Sequence, residues 1–262
     1  SSSTESIAIG RNSNSSSTGS IAIGAESKAN AEYSSAFGEY SKASGEHSMA
    51  FGYVSKASGK GALASGPWSE ASGLYSIATG YSSQALEIDS IAIGRKSSAT
   101  AKWSTALGSN STASGQQSTA LGSYSEASGK FSAALGSYSE ASGKFSAALG
   151  GYKIVVDGEQ SVAVGGASTT VTGNYSTALG SKSNIADANF ATALGYNSKA
   201  SHENSVALGS NSETAEAVGT SEFTLKQLQK LNGQWTEVDI TFGEFAGSDP
   251  LATVSVGKEG QY

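Results

Sequence analysis

The sequence predicts an all-β solenoid, in which the chain winds into a stack of short and nearly identical coils. Three observations carry this prediction. Glycine recurs every fourteen residues from Gly10 to Gly150, then every fifteen up to Gly195, and after fourteen again at Gly209. Each repeat divides into two halves of seven residues that share one pattern. Between the glycines, side chains alternate with period two, which indicates β-strands.

Each repeat supplies two short strands and two tight turns. The two halves read x-Ser-x-Ala-x-Gly, as in 40–45 and 47–52. A helix would require a period of 3.6 residues, and glycine at this frequency disfavours it. Equivalent strands of successive coils therefore pair in parallel, as in other solenoids. With strands ~4.8 Å apart, about fifteen coils form a rod roughly 70 Å long.

The interior of the coil is predicted to hold only small side chains. Alanine occupies one position of the second half without exception from Ala8 to Ala207. The residue two places earlier, usually serine, shares its face, because alternate residues of a strand point the same way. The first half repeats this arrangement, as in Ser41 and Ala43. A Ser/Ala face common to both strands predicts a thin roll whose buried hydroxyl groups need hydrogen-bond partners.

The outward faces of the two strands differ in polarity. The first strand carries Lys, Glu, Thr and Ser, whereas the second carries an apolar stripe about 700 Å² in area, which is large for a soluble monomer. Burial of each side chain would contribute ~1.5–3 kcal/mol, so we expect an obligate oligomer packed along the stripe. The opposite assignment, with the stripe inside the roll, would remove this argument. The predicted interface residues are Ile7, Ile9, Ile21, Ile23, Phe37, Met49, Phe51, Leu63, Ile77, Ile91, Ile93, Leu107, Leu121, Leu135, Leu149, Val162, Val164, Leu179, Leu194, Val206 and Leu208.

Aromatic residues recur at the turns, which places them in vertical rows along the two edges of the rod. We expect the rings to stack across coils and cover the ends of the thin roll, since cross-strand aromatic pairs stabilise sheets. The alternative is an adhesive strip for protein ligands, because Tyr and Trp are enriched in binding hot spots. One row holds Tyr33, His47, Tyr75, Trp103, Phe131, Phe145, Tyr175 and Phe190, and the other holds Tyr40, Trp68, Tyr124, Tyr138 and Tyr152.

No catalytic, metal or cofactor site is predicted. The chain has no Cys, and its two His, His47 and His202, lie about eleven coils or ~50 Å apart. Glu126 and Glu140 are one coil apart, a spacing close to that of glycosidase carboxylates, but on a flat exposed wall we interpret them as a solvated charge ladder. The net charge of −6 disfavours nucleic-acid binding, and no apolar run is long enough for a membrane-spanning helix.

The repeats closely resemble the YadA-like head repeats of trimeric autotransporter adhesins. The units that carry the resemblance are 6–10, 90–94 and 205–209, which read Ser-Ile-Ala-Ile-Gly or Ser-Val-Ala-Leu-Gly and are separated by Ser-x-Ala-x-Gly. The resemblance covers about residues 1–219 and implies a left-handed parallel β-roll, a homotrimer of three identical chains, and display on a Gram-negative bacterial surface.

The family also implies a function and a location. Its heads are virulence-associated adhesins that attach bacteria to host matrix proteins such as collagen or fibronectin, to cells or to abiotic surfaces, and some mediate autoagglutination. They are anchored in the outer membrane by a C-terminal barrel, which we do not find in this sequence. The chain begins at Ser1 without a signal-like segment, so we expect an internal piece of a longer protein.

Two departures from the repeat are expected to alter the roll. The fifteen-residue coils add one residue each near Lys153–Asp157, Ala167–Gly173 and Asn184–Ala188, which predicts a bulge of the outer wall or a wider turn. The segment 152–157 is also unusually apolar for the polar wall.

The repeat is lost from Glu213 onward, so residues 220–262 are predicted to form a small connector or the start of a second head or neck domain. Leu225, Leu228 and Leu231 lie on one face of one or two predicted helical turns. Asn232-Gly233 then predicts a turn, and 235–242 alternates like a strand.

Two other function classes use flat solenoid walls. An ice-binding solenoid needs a regular uncharged Thr array, which Lys42, Lys56, Glu70, Glu126 and Glu140 interrupt. A carbohydrate-binding or carbohydrate-active β-helix needs a cleft, and a fourteen-residue coil leaves little room for one.

Overall fold

The computed structural model describes residues 4–216, 222–231, 234–243 and 252–256. These residues form an all-β parallel solenoid with two long sheets and a separate hairpin. Sixteen strands form the first sheet, hereafter sheet A: Ile7–Ile9, Ile21–Ile23, Ser35–Phe37, Met49–Phe51, Leu63–Ser65, Ile77–Thr79, Ile91–Ile93, Thr105–Leu107, Thr119–Leu121, Ala133–Ser137, Ala147–Tyr152, Val162–Ala167, Thr177–Leu179, Thr192–Leu194, Val206–Leu208 and Val254–Val256.

The second sheet, hereafter sheet B, is formed by the first half of each coil. Its thirteen strands are Asn14–Ser15, Lys28–Ala29, Lys42–Ala43, Lys56–Ala57, Glu70–Ala71, Gln84–Ala85, Ser98–Ala99, Thr112–Ala113, Glu126–Ala127, Glu140–Ala141, Val155–Val156, Thr170–Val171 and Asn184–Ile185. Isolated parallel bridges continue the sheet through Lys199 to Glu213. Strands pair one repeat apart, so equivalent residues of successive coils stack, as Lys42 does on Lys56. The solenoid predicted from the repeat is confirmed.

The core of the roll consists of alanine and serine, as predicted. Alanines from both sheets, such as Ala106 and Ala113, are fully buried, and so are the serines that precede them. Most serine hydroxyls bond to backbone within the turn, as Ser111 Oγ donates to the Gly108 carbonyl oxygen at 2.9 Å. The large aliphatic residues of the stripe do not lie between sheet A and sheet B.

Glycine is required at the end of the sheet A strand in each coil. Gly108 has a φ of +142°, and a Cβ on it would lie 2.4 Å from the Gly122 oxygen of the next coil. A side chain at this position would clash with backbone atoms that cannot rotate away. The positive φ would also be unfavourable for any residue other than glycine. This position therefore sets the repeat interval visible in the sequence.

The fifteen-residue coils differ from the sequence interpretation in where their apolar residues lie. Ile154 and Val156 are fully buried inside the roll, and Val156 stands in register with the interior Ala141. Of the three aliphatic residues only Val155 faces outward, opposite Glu140. The unusual apolar content that the sequence shows at 152–157 is therefore explained in part by two interior residues, and Val171 and Ile185 are likewise interior in the next two coils, whereas Tyr152, Lys153 and Asp157 are exposed.

The C-terminal segment forms a hairpin, and the prediction of helical turns at 223–231 is wrong. Strands Glu222–Leu231 and Gln234–Gly243 pair antiparallel, with Leu231 opposite Gln234. The turn predicted at Asn232-Gly233 lies outside the described residues. Pairing with a ten-residue partner strand decides the conformation of 222–231, because three leucines at this spacing span too few turns for a stable helix. After the hairpin the chain returns to the rod, where Val254–Val256 pairs in parallel with Val206–Leu208.

Candidate functional site

The apolar stripe forms two rows on the outer face of sheet A. All twenty-one predicted interface residues lie on this face, and none is fully buried in the single chain. The first row contains Ile7, Ile21, Met49, Leu63, Ile77, Ile91, Val162 and Val206, and the second contains Ile9, Ile23, Phe37, Phe51, Ile93, Leu107, Leu121, Leu135, Leu149, Val164, Leu179, Leu194 and Leu208. Ile9 is 57% exposed and Leu179 46%.

The two rows compensate each other in side-chain volume. Where the second row is small, at Ser65 and Thr79, the first row holds Leu63 and Ile77. Where the first row is small, as at Thr119, the second row holds leucine. Each coil therefore presents at least one large apolar side chain to whatever covers the stripe.

Sequence reasoning missed two residues of the stripe. Val254 and Val256 extend the two rows beyond Val206 and Leu208, and they are 70% and 75% exposed. The signal that could have found them is the alternation of 253–257, which ends in glycine like the head repeats.

The outer face of sheet B, hereafter the wall, is polar and separates its charges by sign. Lys28, Lys42 and Lys56 stack in register and form the basic segment. Toward the other end, Glu126 and Glu140 stack in register, and Asp157 lies one coil further on. These three carboxylates form the acidic segment.

The surroundings of Glu140, in the acidic segment, shift the pKa of its carboxyl group. Partial burial, together with the charges of Asp157 and Glu126, raises the pKa of Glu140 above its ordinary value of 4.5. A carboxyl whose pKa is raised in the folded state destabilises the fold when it is ionised, and the penalty is relieved as the pH falls through that pKa.

Replacement of Glu140 by glutamine is accordingly expected to stabilise the protein at pH 7. We expect a rise in melting temperature of about 1–2 °C, the scale of a partly exposed surface substitution. The gain should disappear below pH 4.5, where the wild-type carboxyl is itself protonated. Thermal melts at both pH values check this, and a Glu140→Gln variant less stable at pH 7 would contradict it.

The aromatic rows at the edges stack across coils, as expected. The rings of Phe131 and Phe145 are parallel with centroids 4.7 Å apart, and those of Tyr124 and Tyr138 are 4.8 Å apart. Two aromatic residues that the sequence analysis did not include, Tyr53 and Tyr81, also take part, because both contact Trp68 edge-on. Phe131 and Trp68 have a left-handed backbone, with φ of 61° and 55°, whereas Tyr53 and Tyr81 lie one residue before the left-handed position of their turns.

Neither histidine belongs to a catalytic constellation. His47 stacks on Tyr33 at 5.1 Å and lies 3.4 Å from a Glu46 carboxylate oxygen. The ring of His202 contacts the Thr214 hydroxyl at 3.2 Å. Among the described residues, no group of three His, Cys, Asp or Glu side chains is placed to hold a metal ion. In the same part of the chain, no helix has the length and apolar character to cross a membrane.

Comparison with known proteins identifies the repeat. A family model described as "YadA head domain repeat (2 copies)" matches residues 1–27, 29–55, 57–83, 99–125, 127–152, 157–183 and 186–212, which together make up more than half of the chain. Among solved structures, the chain is similar to the collagen-binding domain of Yersinia adhesin YadA, with 22% identity, a TM-score of 0.25, and coverage of 84% of this chain and 90% of that one. No curated protein matches the chain.

Proposed function

The chain belongs to the YadA head domain family, and on that premise we propose that it is the surface-exposed head of a trimeric autotransporter adhesin. The observation that carries the proposal is the iteration of the family repeat over seven successive matches. A repeated surface offers the same weak contact many times, and many copies on one cell multiply it, so adhesion does not require a single deep pocket. This is a non-catalytic, multivalent binding function.

The proposed assembly is a homotrimer packed along the stripe, wound from left-handed rolls as in the family. Support comes from the apolar stripe, which no other described part of the single chain covers and which presents at least one large apolar side chain in each coil. Three stripes directed to a common axis would bury these side chains and leave each wall outward, consistent with the mixed charges of sheet B. The protein would be held at the bacterial outer membrane through segments outside this sequence.

The proposed partners are host matrix proteins such as collagen or fibronectin, host cells and abiotic surfaces. The polar wall and the exposed aromatic rows at the coil edges lie outside the apolar stripe, so we expect a trimer packed on its stripe to leave them available. Autoagglutination by contact between heads is part of the same proposal.

Beads coated with the purified head are expected to adhere to at least one of collagen, fibronectin, cultured cells or plastic. Multivalent display should raise apparent affinity by about 10²–10⁴ over the soluble head, as linked weak sites do. The measurement is bead retention under flow, compared with beads that carry a coiled-coil stalk of the same family. Retention no greater than the stalk control on every surface would defeat the proposal.

A further inference from the structure

Within the part of one chain that the structure describes, two of the three lysines of the basic segment and the carboxylates of the acidic segment form no ion pair. Like charges in register destabilise a sheet. Lys56 bonds to Glu70 at 2.6 Å, but among the described residues neither Lys28 nor Lys42 has an ion-pair partner. Both ammonium groups are exposed on the flat wall.

The acidic segment is not neutralised by the lysines nearest to it in sequence. Lys130 and Lys144 lie at the coil edge, with their ammonium groups 5.0 and 5.1 Å from the ring centroids of Phe131 and Phe145. Lys144 also approaches Glu159 at 3.9 Å. These lysines therefore do not neutralise the carboxylates of the acidic segment.

The positions of the two segments are related by a twofold rotation about the strand that holds Gln84. A rotation about the strand direction preserves the position of a residue along its strand and reverses the order of the coils. Lys42 lies three coils before Gln84 and Glu126 three coils after it. Lys28 lies four coils before it and Glu140 four coils after. The wall is thus complementary in charge to its own rotated copy.

We propose that two heads dock wall to wall in antiparallel orientation, with a second copy of this chain as the partner. Lys28 then faces the partner's Glu140, and Lys42 faces the partner's Glu126, and both pairs occur twice. Gln84 and Leu86 meet their own copies on the axis, so the contact is self-complementary, as twofold interfaces are. The inference rests on the proposed function, because it needs the walls to face outward on the assembled head.

Among axes that coincide with a strand, only the Gln84 strand opposes both unpaired lysines to glutamates without opposing like charges. With the axis on the Gln84 strand, the bond from Lys56 to Glu70 within each chain stays intact, because Lys56 faces Thr112 of the partner subunit. An axis one coil further, on the Ser98 strand, would oppose Glu70 to the partner's Glu126. An axis one coil earlier, on the Glu70 strand, would pair no opposite charges. Serine occupies most of the outward positions two residues after the row of Lys42 and Glu126, as at Ser44. These small side chains allow the two walls to approach closely.

Charge reversal tests this docking. The double variants Lys28→Glu/Lys42→Glu and Glu126→Lys/Glu140→Lys each oppose like charges to like, so self-association of each is expected to fall at least about tenfold, since four ion pairs are lost per contact. An equimolar mixture of the two variants restores opposite charges at every position and should recover association. Wild-type association should weaken as salt is raised. Sedimentation velocity and bead clustering measure both effects.

The matched control is Lys130→Glu/Lys144→Glu, which makes the same change in net charge at the coil edge and should associate like the wild type. A mixture that stays dissociated, or a control that loses association equally, would overturn the docking. Retention of the same variants on matrix-coated surfaces is measured in parallel. Wild-type retention no greater than the stalk control, with association restored in the mixture, would defeat the matrix function and leave the docking intact. Wild-type retention above the stalk control, with a mixture that stays dissociated, would overturn the docking alone.

Discussion

Replacement of both Ile91 and Ile93 by aspartate is expected to abolish assembly of the head and leave isolated chains in solution. The two side chains flank Ala92 on one strand and point away from the core of their own roll. In the proposed trimer the change would bring six carboxylates together at the axis. Each loses ~1.5–3 kcal/mol of apolar burial, and an unpaired buried charge costs several kcal/mol more.

The matched control uses the opposite wall of the same coil. Ser98→Asp with Thr100→Asp adds the same charge to the outward face of sheet B, where it stays in water, so the trimer should be unchanged when the measurement is made at high salt, which weakens docking between walls. Sedimentation equilibrium at low protein concentration reports the mass, and circular dichroism reports whether the roll is still folded. If the Ile91/Ile93 variant keeps the mass of the wild-type assembly, the stripe is not the interface.

Much of this architecture could be predicted from the sequence because the repeat is regular. A fixed interval between Gly10 and Gly150 means that every coil solves the same packing problem, so one assignment of Ala8 and Ser41 to the interior applies to all coils. The polarity of the remaining positions then separates the stripe from the wall. The structure places both as the period-two pattern indicated.

The errors lie where the regularity is broken. The extra residue lies before the strand, between Leu149 and Tyr152, so Val155–Val156 keeps the register of Glu140–Ala141. Period-two alternation alone does not show which alternate residues of 152–157 face the interior, and the structure places Ile154 and Val156 there. In 222–231, the spacing of Leu225, Leu228 and Leu231 fits a helical face, whereas the pairing with 234–243 that decides the strand is a tertiary contact. The fourteen-residue interval already places the charged residues of the wall in register, whereas the absence of ion-pair partners for Lys28 and Lys42 among the described residues is visible only in the structure.

The structure also indicates why the coil length and the interior residue are coupled. From Lys28–Ala29 to Glu140–Ala141 the interior residue of each sheet B strand is alanine, and in the first strand it is Ser15, whereas the fifteen-residue coils place Val156, Val171 and Ile185 there, all fully buried. Among these strands, the coils that are one residue longer are thus the ones that hold a branched side chain at this position. Volume and coil length are therefore matched along the rod.

Replacement of Ala113 by isoleucine is consequently expected to destabilise the rod strongly. Ala113 is fully buried in a fourteen-residue coil, with Ala99 and Ala127 in register on either side. Three added carbons find no free volume, and the alanine neighbours have no side-chain torsions through which to yield. Overpacking of this kind costs ~1–3 kcal/mol or more, and the rigid ladder argues for the upper end.

Thr112→Ile is the control for this substitution, since it places the same side chain one residue earlier on the outward face of the same strand. It should change the free energy of unfolding by less than ~0.5 kcal/mol. Ile185→Ala, in a fifteen-residue coil, should instead cost ~2–5 kcal/mol by leaving a cavity. Urea unfolding of the three variants compares them directly. If Ala113→Ile were tolerated as well as Thr112→Ile, the interior would have room to spare, and the fourteen-residue interval would need a cause other than the thinness of the roll.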